Sequence, residues 1–144
     1  MCIREELAKN FMRLGPTLFK KISLRPPEMD VSMQQLGLLF LIQSENGKPM
    51  KYYGERMMIS RPNLTVMADR LIAEGLVERG EDPEDRRVVI LRITEKGAAR
   101  LAQQQEQAIK VLSKRFEAFE DRDVERLNQL FTEISLIFGR MADS

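Results

Sequence analysis

A short stretch near the middle of the chain concentrates side chains that can hydrogen-bond to nucleobases. Arg61, Asn63 and Thr65 occupy every second position directly after Ser60. An arginine guanidinium can donate two hydrogen bonds to guanine, and an asparagine amide can both donate to and accept from adenine. At the start of a helix, these residue types would suit contact with base edges. They also fit an ordinary capped helix packed in a core, and this segment alone does not distinguish the two interpretations.

A second group of charged residues lies in a polar segment that also contains a proline. Arg86 and Arg87 follow Asp85 there. An arginine on an exposed turn can enter the minor groove of DNA, where the negative potential is strongest, and a neighbouring aspartate can orient its guanidinium. The same segment also fits a merely solvated turn, because it carries further acids: Glu81, Asp82 and Glu84.

Composition removes several kinds of chemistry. The 144 residues include no histidine, and the only cysteine is Cys2, which we interpret as a surface or dimer-interface thiol. Without imidazole, the commonest general base and most zinc sites are missing. We therefore predict no catalytic residue, no metal and no cofactor, and we predict that the protein is not an enzyme. A small hydrolase with paired carboxylates is a rival hypothesis, but the acids lie on helix faces and in the polar turn, where solvation explains them.

Charge and hydropathy point to one globular domain. The 23 basic and 22 acidic residues sum to +1, so any basic surface that attracts nucleic acid must be local. The 43% of hydrophobic residues can form a core. No apolar run reaches the ~20 residues of a membrane span. The first residues also lack the pattern of a signal peptide. We predict a cytoplasmic protein with no membrane partner.

The elements that must position these side chains follow from hydrophobic periodicity and turn residues. We predict helices over about 3–22, 32–44, 51–57, 60–74, 94–119 and 124–141, with strands near 76–79 and 88–93. Gly15-Pro16 predicts a kink or a break in the first helix, and Arg25-Pro26-Pro27 predicts a loop. Three helices followed by a β-hairpin are typical of a winged helix-turn-helix. The fold class is therefore mainly α (α+β).

The helix that begins after Ser60 has two different faces. At 100° per residue its inward face holds Leu64, Met67, Ala68 and Leu71. The outward face is built mostly of small side chains: Pro62, Val66, Asp69 and Ala73, with Asn63 and Arg70 at its edge. Small side chains let a helix approach another surface closely, as insertion into a major groove requires. Ser60 is also expected to cap the first amides with its hydroxyl, and Gly75 to end the helix.

Several motifs resemble the MarR (multiple antibiotic resistance regulator) family. They are SRPNLTVMADRL at 60–71, EGLVER at 74–79, DPEDRR at 82–87 and LRITEKG at 91–97. The Asp-x-Arg wing that leads into Ile-Thr-x-x-Gly is the most specific of them. The helical order and the length match this family over the whole chain.

This resemblance implies a homodimer whose terminal helices interlock while two winged lobes bind a pseudo-palindromic operator in double-stranded DNA. Residues 32–97 would form the DNA-binding lobe with a two-stranded wing, and 1–24 and 98–144 the dimerisation helices of a single domain. Arg87 would be the minor-groove arginine held by Asp85, and Asp69 would support the wing. The predicted DNA-binding residues are Ser60, Arg61, Pro62, Asn63, Thr65, Val66, Arg70, Arg86 and Arg87.

The terminal helices carry large apolar side chains that two chains could bury between them. The chief examples are Phe116, Phe119, Phe131, Ile134, Ile137 and Phe138. They could equally form the core of a monomer, although long helices at both ends favour the dimer. The resemblance also implies that a small aromatic or phenolic effector releases the protein from DNA. The residues themselves do not establish that such an effector exists.

Two positions depart from the family pattern. Met58 stands where the turn before the recognition helix usually has glycine, so the turn geometry is expected to differ, and Gly15-Pro16 is unusual in the first helix. The function predicted is a DNA-binding transcriptional regulator, in particular a repressor. The alternative is a winged-helix module that binds another protein and no DNA.

Overall fold

The computed structural model describes residues 2–22 and 32–141, so the loop predicted at Arg25-Pro26-Pro27 lies outside the described residues. Within these ranges, the order of six helices with a β-hairpin between the fourth and the fifth is the one that the winged-helix prediction requires, which confirms the fold class. The elements are α1 (Ile3–Ile22), α2 (Met33–Ser44), β1 (Lys48–Pro49), α3 (Met50–Met57), α4 (Arg61–Ala73), β2 (Val77–Glu81), β3 (Val89–Ile93), α5 (Glu95–Phe116) and α6 (Asp121–Phe138).

Two helix ends in the lobe are determined by local sequence. Ser32 caps α2 through a capping box, in which its Oγ accepts from the Gln35 amide at 3.2 Å and its own amide donates to the Gln35 side chain. α4 ends at a left-handed glycine, Gly75, with φ of 74°. The Leu76 amide donates to the Leu71 carbonyl, and the Gly75 amide donates to that of Ile72. This pair of bonds is the Schellman motif, so the predicted stop is confirmed.

The sheet has one more strand than the sequence predicts. β2 and β3 form the predicted antiparallel hairpin, with Val77 opposite Ile93, and β1 adds to the other edge of β3, with Lys48 opposite Leu91. Two residues are too few to show strand alternation. Pro49 is tolerated because an edge strand need not donate on its outer side.

The Tyr53 hydroxyl holds this edge in place. It accepts a hydrogen bond from the Lys48 amide at 3.0 Å and lies 2.6 Å from the Glu45 carbonyl oxygen, to which it donates. The Leu91 carbonyl oxygen is 3.3 Å away. Because the Tyr53 ring is fully buried, this hydroxyl fastens the chain between α2 and α3 to the sheet.

Contacts divide the chain into two compact units, residues 24–108 and residues 1–23 with 109–144. The first contains the lobe, whose core is a cluster of fully buried aliphatic residues with Tyr53. They include Leu38, Leu39, Ile42, Leu64, Leu71, Leu76 and Leu91.

Within the same unit, the end of α4 is fastened to the start of α5. The Thr94 hydroxyl donates to the Gly75 carbonyl at 2.6 Å and accepts from the Gly97 amide at 3.0 Å, so it also caps the first turn of α5. The Thr94 amide donates to the Leu76 carbonyl, and Lys96 Nζ donates to the Glu74 carbonyl at 2.8 Å. The orientation of α4 therefore depends on this junction.

The second unit contains α1, α6 and the end of α5. α1 is one helix through Pro16, so a break into two pieces is wrong. The helix continues because Gly15, which precedes the proline, has no Cβ to clash with the ring. Neither α1 nor α6 contains a buried residue.

Candidate nucleic-acid interface

Helix α4 divides into a buried face and an exposed face as its periodicity predicts. Leu64, Met67, Ala68 and Leu71 are buried in the core of the lobe. The opposite side is exposed and carries Pro62, Asn63, Val66, Asp69, Arg70 and Ala73, while Thr65 is half-buried. The exposed surface is narrow because four of these side chains are small or short. It can therefore approach another molecule closely along most of its length.

The start of α4 differs from the prediction in one detail. Ser60 is the N-cap residue, but its side chain makes no capping hydrogen bond, so the predicted cap is wrong. An N-cap side chain normally bonds the second or third amide of the helix. Here the second residue is Pro62, which has no amide, and Ser60 does not bond the amide of Asn63, the third residue, either. The Ser60 hydroxyl and Arg61 are exposed beside the positive end of the helix dipole, an environment that attracts phosphate. The Thr65 hydroxyl donates back to the Arg61 carbonyl at 2.9 Å.

The turn between α3 and α4 keeps a left-handed residue without using glycine. Met58 has φ of 55° and ψ of 40°. Its amide donates to the Glu55 carbonyl, and the next amide, of Ile59, donates to the Gly54 carbonyl at 3.0 Å. Met58 therefore adopts the left-handed conformation that glycine could take without strain. The predicted difference in turn geometry is not a shift of this residue to another region of φ and ψ. Two hollows flank this turn, and Met58, Ile59 and Ser60 line both.

The wing presents Arg87 at its tip in a defined orientation. Asp85 Oδ1 accepts from the Arg87 amide at 3.0 Å and from its Nε at 3.2 Å, and Oδ2 lies 3.4 Å from Nη2. These bonds to Arg87, first from the side chain and then from the amide, lower the pKa of Asp85. The Arg87 side chain is nevertheless 90% exposed, so the aspartate orients the guanidinium and leaves it accessible. Arg86 is exposed beside it.

The backbone of the wing loop explains part of its acidic composition. Asp82 Oδ1 accepts from the Glu84 amide at 2.8 Å, and the Val88 amide donates to the Asp85 carbonyl. Asp82 and Asp85 therefore shape the loop.

An ion pair that the sequence did not reveal connects α4 to the wing. Asp69, on the exposed face of α4, pairs with Arg79 of β2. Asp69 was expected to support the wing, but its partner could not be identified from the sequence. Arg79 is ten residues away along the chain, and only the packing of α4 against β2 brings the two side chains together. This contact joins the two elements that carry the predicted DNA-binding residues.

No cation-binding group is built into the part of the chain that the structure describes. Residues 2–22 and 32–141 contain no cluster of three or more cysteine, aspartate or glutamate side chains arranged to hold a metal. Nor is any helix in these ranges both long and apolar enough to cross a bilayer.

Comparison with known sequences agrees with this architecture. Residues 31–89 match the model of the MarR family. The chain is 23% identical over 137 residues to the uncharacterized HTH-type transcriptional regulator YpoP of Bacillus subtilis, covering 93% of this chain and 97% of that protein. It is 36% identical over 87 residues to the HTH-type transcriptional repressor MdtR of the same organism, covering 56% of this chain and 54% of MdtR.

Solved structures show the same fold. MarR superposes with a TM-score of 0.66 at 17% identity, over 98% of this chain and 100% of MarR. The repressor CouR, bound to a 23-mer DNA duplex, has a TM-score of 0.62 at 25% identity, over 94% and 92%. The PcaV regulator of Streptomyces coelicolor, with its natural ligand, has a TM-score of 0.57 at 19% identity, over 90% and 89%. These matches confirm the resemblance seen in the sequence: residues 31–89 match the MarR family, and the chain has the fold of MarR.

Proposed function

We propose that the protein is a homodimeric transcriptional repressor that binds a pseudo-palindromic operator in double-stranded DNA. The observation that carries this proposal is the pairing, in one lobe, of the narrow exposed face of α4 with an Arg87 side chain that Asp85 orients and leaves 90% exposed. The relatives support it, because MdtR is named a repressor and CouR is a repressor bound to a duplex. A DNA target requires protein and DNA to share a compartment, so the cytoplasmic location is part of the proposal.

In this proposal α4 enters the major groove with its N-terminal end first. Arg61 and Asn63 are exposed there and offer hydrogen-bonding groups to base edges, while Ser60 stands at the helix start, where a phosphate would bind. Pro62 and Val66 supply close apolar contact. Thr65 has a smaller part, since its hydroxyl already bonds within the helix. Arg70, further along the exposed face, would contact the backbone.

The wing would then reach the neighbouring minor groove. Arg87 would enter it, Arg86 would contact phosphate at its edge, and Asp85 would hold Arg87 in position. Asp69 supports this arrangement through its ion pair with Arg79, which links the wing to α4. The acids of the loop oppose non-specific attraction to phosphate, so affinity would depend on this oriented arginine more than on the overall charge of the wing.

A second copy of the chain is the proposed partner of the terminal helices. α1 exposes Leu7, Phe11 and Phe19 by 64–77%, and α6 exposes Phe131, Ile137 and Phe138 by 50–59%. Apolar surface of this extent on neighbouring turns marks an interaction site. Burial would contribute roughly 1.5–3 kcal/mol per large side chain. Sedimentation at micromolar concentration should therefore show a dimer, and a monomer would refute this part.

An effector would act on the equilibrium between the free protein and its complex with DNA. The PcaV regulator has a structure in complex with its natural ligand, and we extend the idea of a small-molecule effector to this chain as a small aromatic or phenolic compound. Titrating a protein–operator complex with a panel of benzoates and phenols should release DNA for at least one member. Release by none would leave a repressor controlled in another way.

Selection of bound duplexes from a random pool, followed by sequencing, tests the main proposal. We expect a two-fold symmetric consensus with half-sites about one helical turn apart, ~34 Å. Asn63→Ala should relax the preference at one base position, at a cost of ~1–3 kcal/mol. Arg87→Ala should weaken binding to all sequences and lower the salt slope by about one ion. Asn128→Ala and Arg122→Ala, at exposed positions of α6, are matched controls. They should change neither the base preference nor the salt dependence of binding.

A protein-interaction module would give different results. No duplex would be enriched at low ionic strength, and both Asn63→Ala and Arg87→Ala would leave nucleic-acid binding unaltered. A folded protein with that behaviour would refute the proposed function.

A further inference from the structure

Met58 combines two unfavourable features in one residue. It adopts the left-handed conformation, in which a Cβ clashes with the following carbonyl, and its apolar side chain is 93% exposed. Glycine would avoid both features at once. Backbone strain in native proteins tends to gather at functional sites, so the combination calls for a role outside the folding of the lobe.

The neighbours of Met58 show that the core does not need it. Met57 and Ile59 are partly buried and pack against the core of the lobe. Met58 lies between them, and the left-handed turn directs its side chain away from that core. The side chain therefore stands in solvent as a consequence of the turn, immediately ahead of α4.

Met58 lies next to the N-terminal end of α4, which is the part of the helix proposed to contact the bases. One hollow beside the turn is lined by Met58 with Asn63, Val66 and Gln34, and the other by Met58 with Arg61. Met58 therefore lies beside exposed residues of α2 and α4, and a duplex that contacts Arg61 and Asn63 would come within reach of its side chain.

We propose that Met58 is a specificity-determining residue that packs its side chain on the C5-methyl group of a thymine at the edge of each operator half-site. This inference rests on the proposed function. Apolar side chains recognise thymine through this methyl group, which cytosine lacks and which faces the major groove. Methionine suits the contact because its flexible thioether adapts to an irregular surface.

The test uses the full-length protein and the duplex that it selects. Fluorescence anisotropy would compare wild type with Met58→Gly, Met58→Asn and Met58→Leu, on the operator and on duplexes in which each thymine in turn is replaced by deoxyuridine. Deoxyuridine removes only the methyl group. Glycine and asparagine both accept the left-handed conformation, so these two variants delete the thioether and keep the turn.

We expect one deoxyuridine position per half-site to weaken wild-type binding by about fourfold, the equivalent of one buried methyl group. Met58→Gly and Met58→Asn should bind the operator about tenfold more weakly and should be indifferent to deoxyuridine at that position. Met58→Leu should retain the sensitivity. The thermal midpoint of Met58→Gly should equal or exceed that of wild type, which a merely structural role of Met58 would not give.

Two outcomes overturn the inference, and they can be told apart. If wild type binds a selected duplex and Met58→Gly shows the same affinity and the same sensitivity to deoxyuridine, the inference is wrong and the proposed function stands. If wild type binds no duplex, both fall together.

Discussion

Replacing Gly97 by alanine should destabilise the lobe through a clash with the backbone. Gly97 lies in the first turn of α5, where an added Cβ would come within 2.0 Å of the Leu76 carbonyl oxygen and within 2.9 Å of Ile93 Cγ1. The clash involves backbone, so no rotation of a side chain can relieve it. The start of α5 must move away from the end of α4.

The magnitude follows from the bonds that this movement breaks. The Gly97 amide, the Thr94 hydroxyl and the Thr94 amide each make a hydrogen bond across or within the junction. Three bonds at about 1 kcal/mol each are lost, and the better helix propensity of alanine returns up to about 1 kcal/mol. We therefore expect the free energy of unfolding to fall by about 2–3 kcal/mol. For a chain of this size that lowers Tm by roughly 5–10 °C.

Gly37→Ala is the matched control, because Gly37 lies inside α2 and its added Cβ would meet only the flexible end of Met57 at 3.5 Å. That variant should gain about 0.5–1 kcal/mol from helix propensity. Thermal and urea unfolding followed by circular dichroism measure both variants. Equal stabilities for Gly97→Ala and wild type would mean that the junction is not tightly packed, and the reasoning about the orientation of α4 would be refuted.

Three further predictions follow from the contacts of the lobe. Arg87→Ala should raise the pKa of Asp85 toward the ordinary value of 3.8, because the lowered pKa comes chiefly from the Arg87 side chain. Since the folded pKa lies below the unfolded one, the stabilising contact is complete above about pH 4 and is lost as the pH falls through the folded pKa. Carboxyl carbon NMR would measure the pKa, and an unchanged value would contradict the contact. A double-mutant cycle with Asp69→Asn and Arg79→Gln should give a coupling of only ~0.2–1 kcal/mol in urea unfolding, because both side chains are about half exposed, and a zero coupling would mean that no pair forms in solution. Tyr53→Phe should cost about 1–3 kcal/mol in the same assay by leaving the Lys48 amide and the Glu45 carbonyl of a partly buried edge without their partner, and a neutral result would show that water replaces the hydroxyl.

Local sequence was enough to predict every element except β1, and also the two faces of α4. The Gly75 stop and the buried row on α4 were predictable because each depends on residues within one or two turns of the chain. The orientation of Arg87 by Asp85 was readable for the same reason, since the two residues are two positions apart.

What required the tertiary structure were the contacts between residues far apart in the chain. β1 is too short to show a pattern of its own, and it exists because β3 and the Tyr53 hydroxyl take up its polar groups. The pairing of Asp69 with Arg79 depends on how α4 packs against β2. Periodicity records which side of an element is apolar, but it carries no information about which distant group completes a hydrogen bond or an ion pair. For that reason the sequence by itself determined the winged-helix lobe and the exposed face of α4. Only the tertiary structure determined which contacts hold the wing and α4 together.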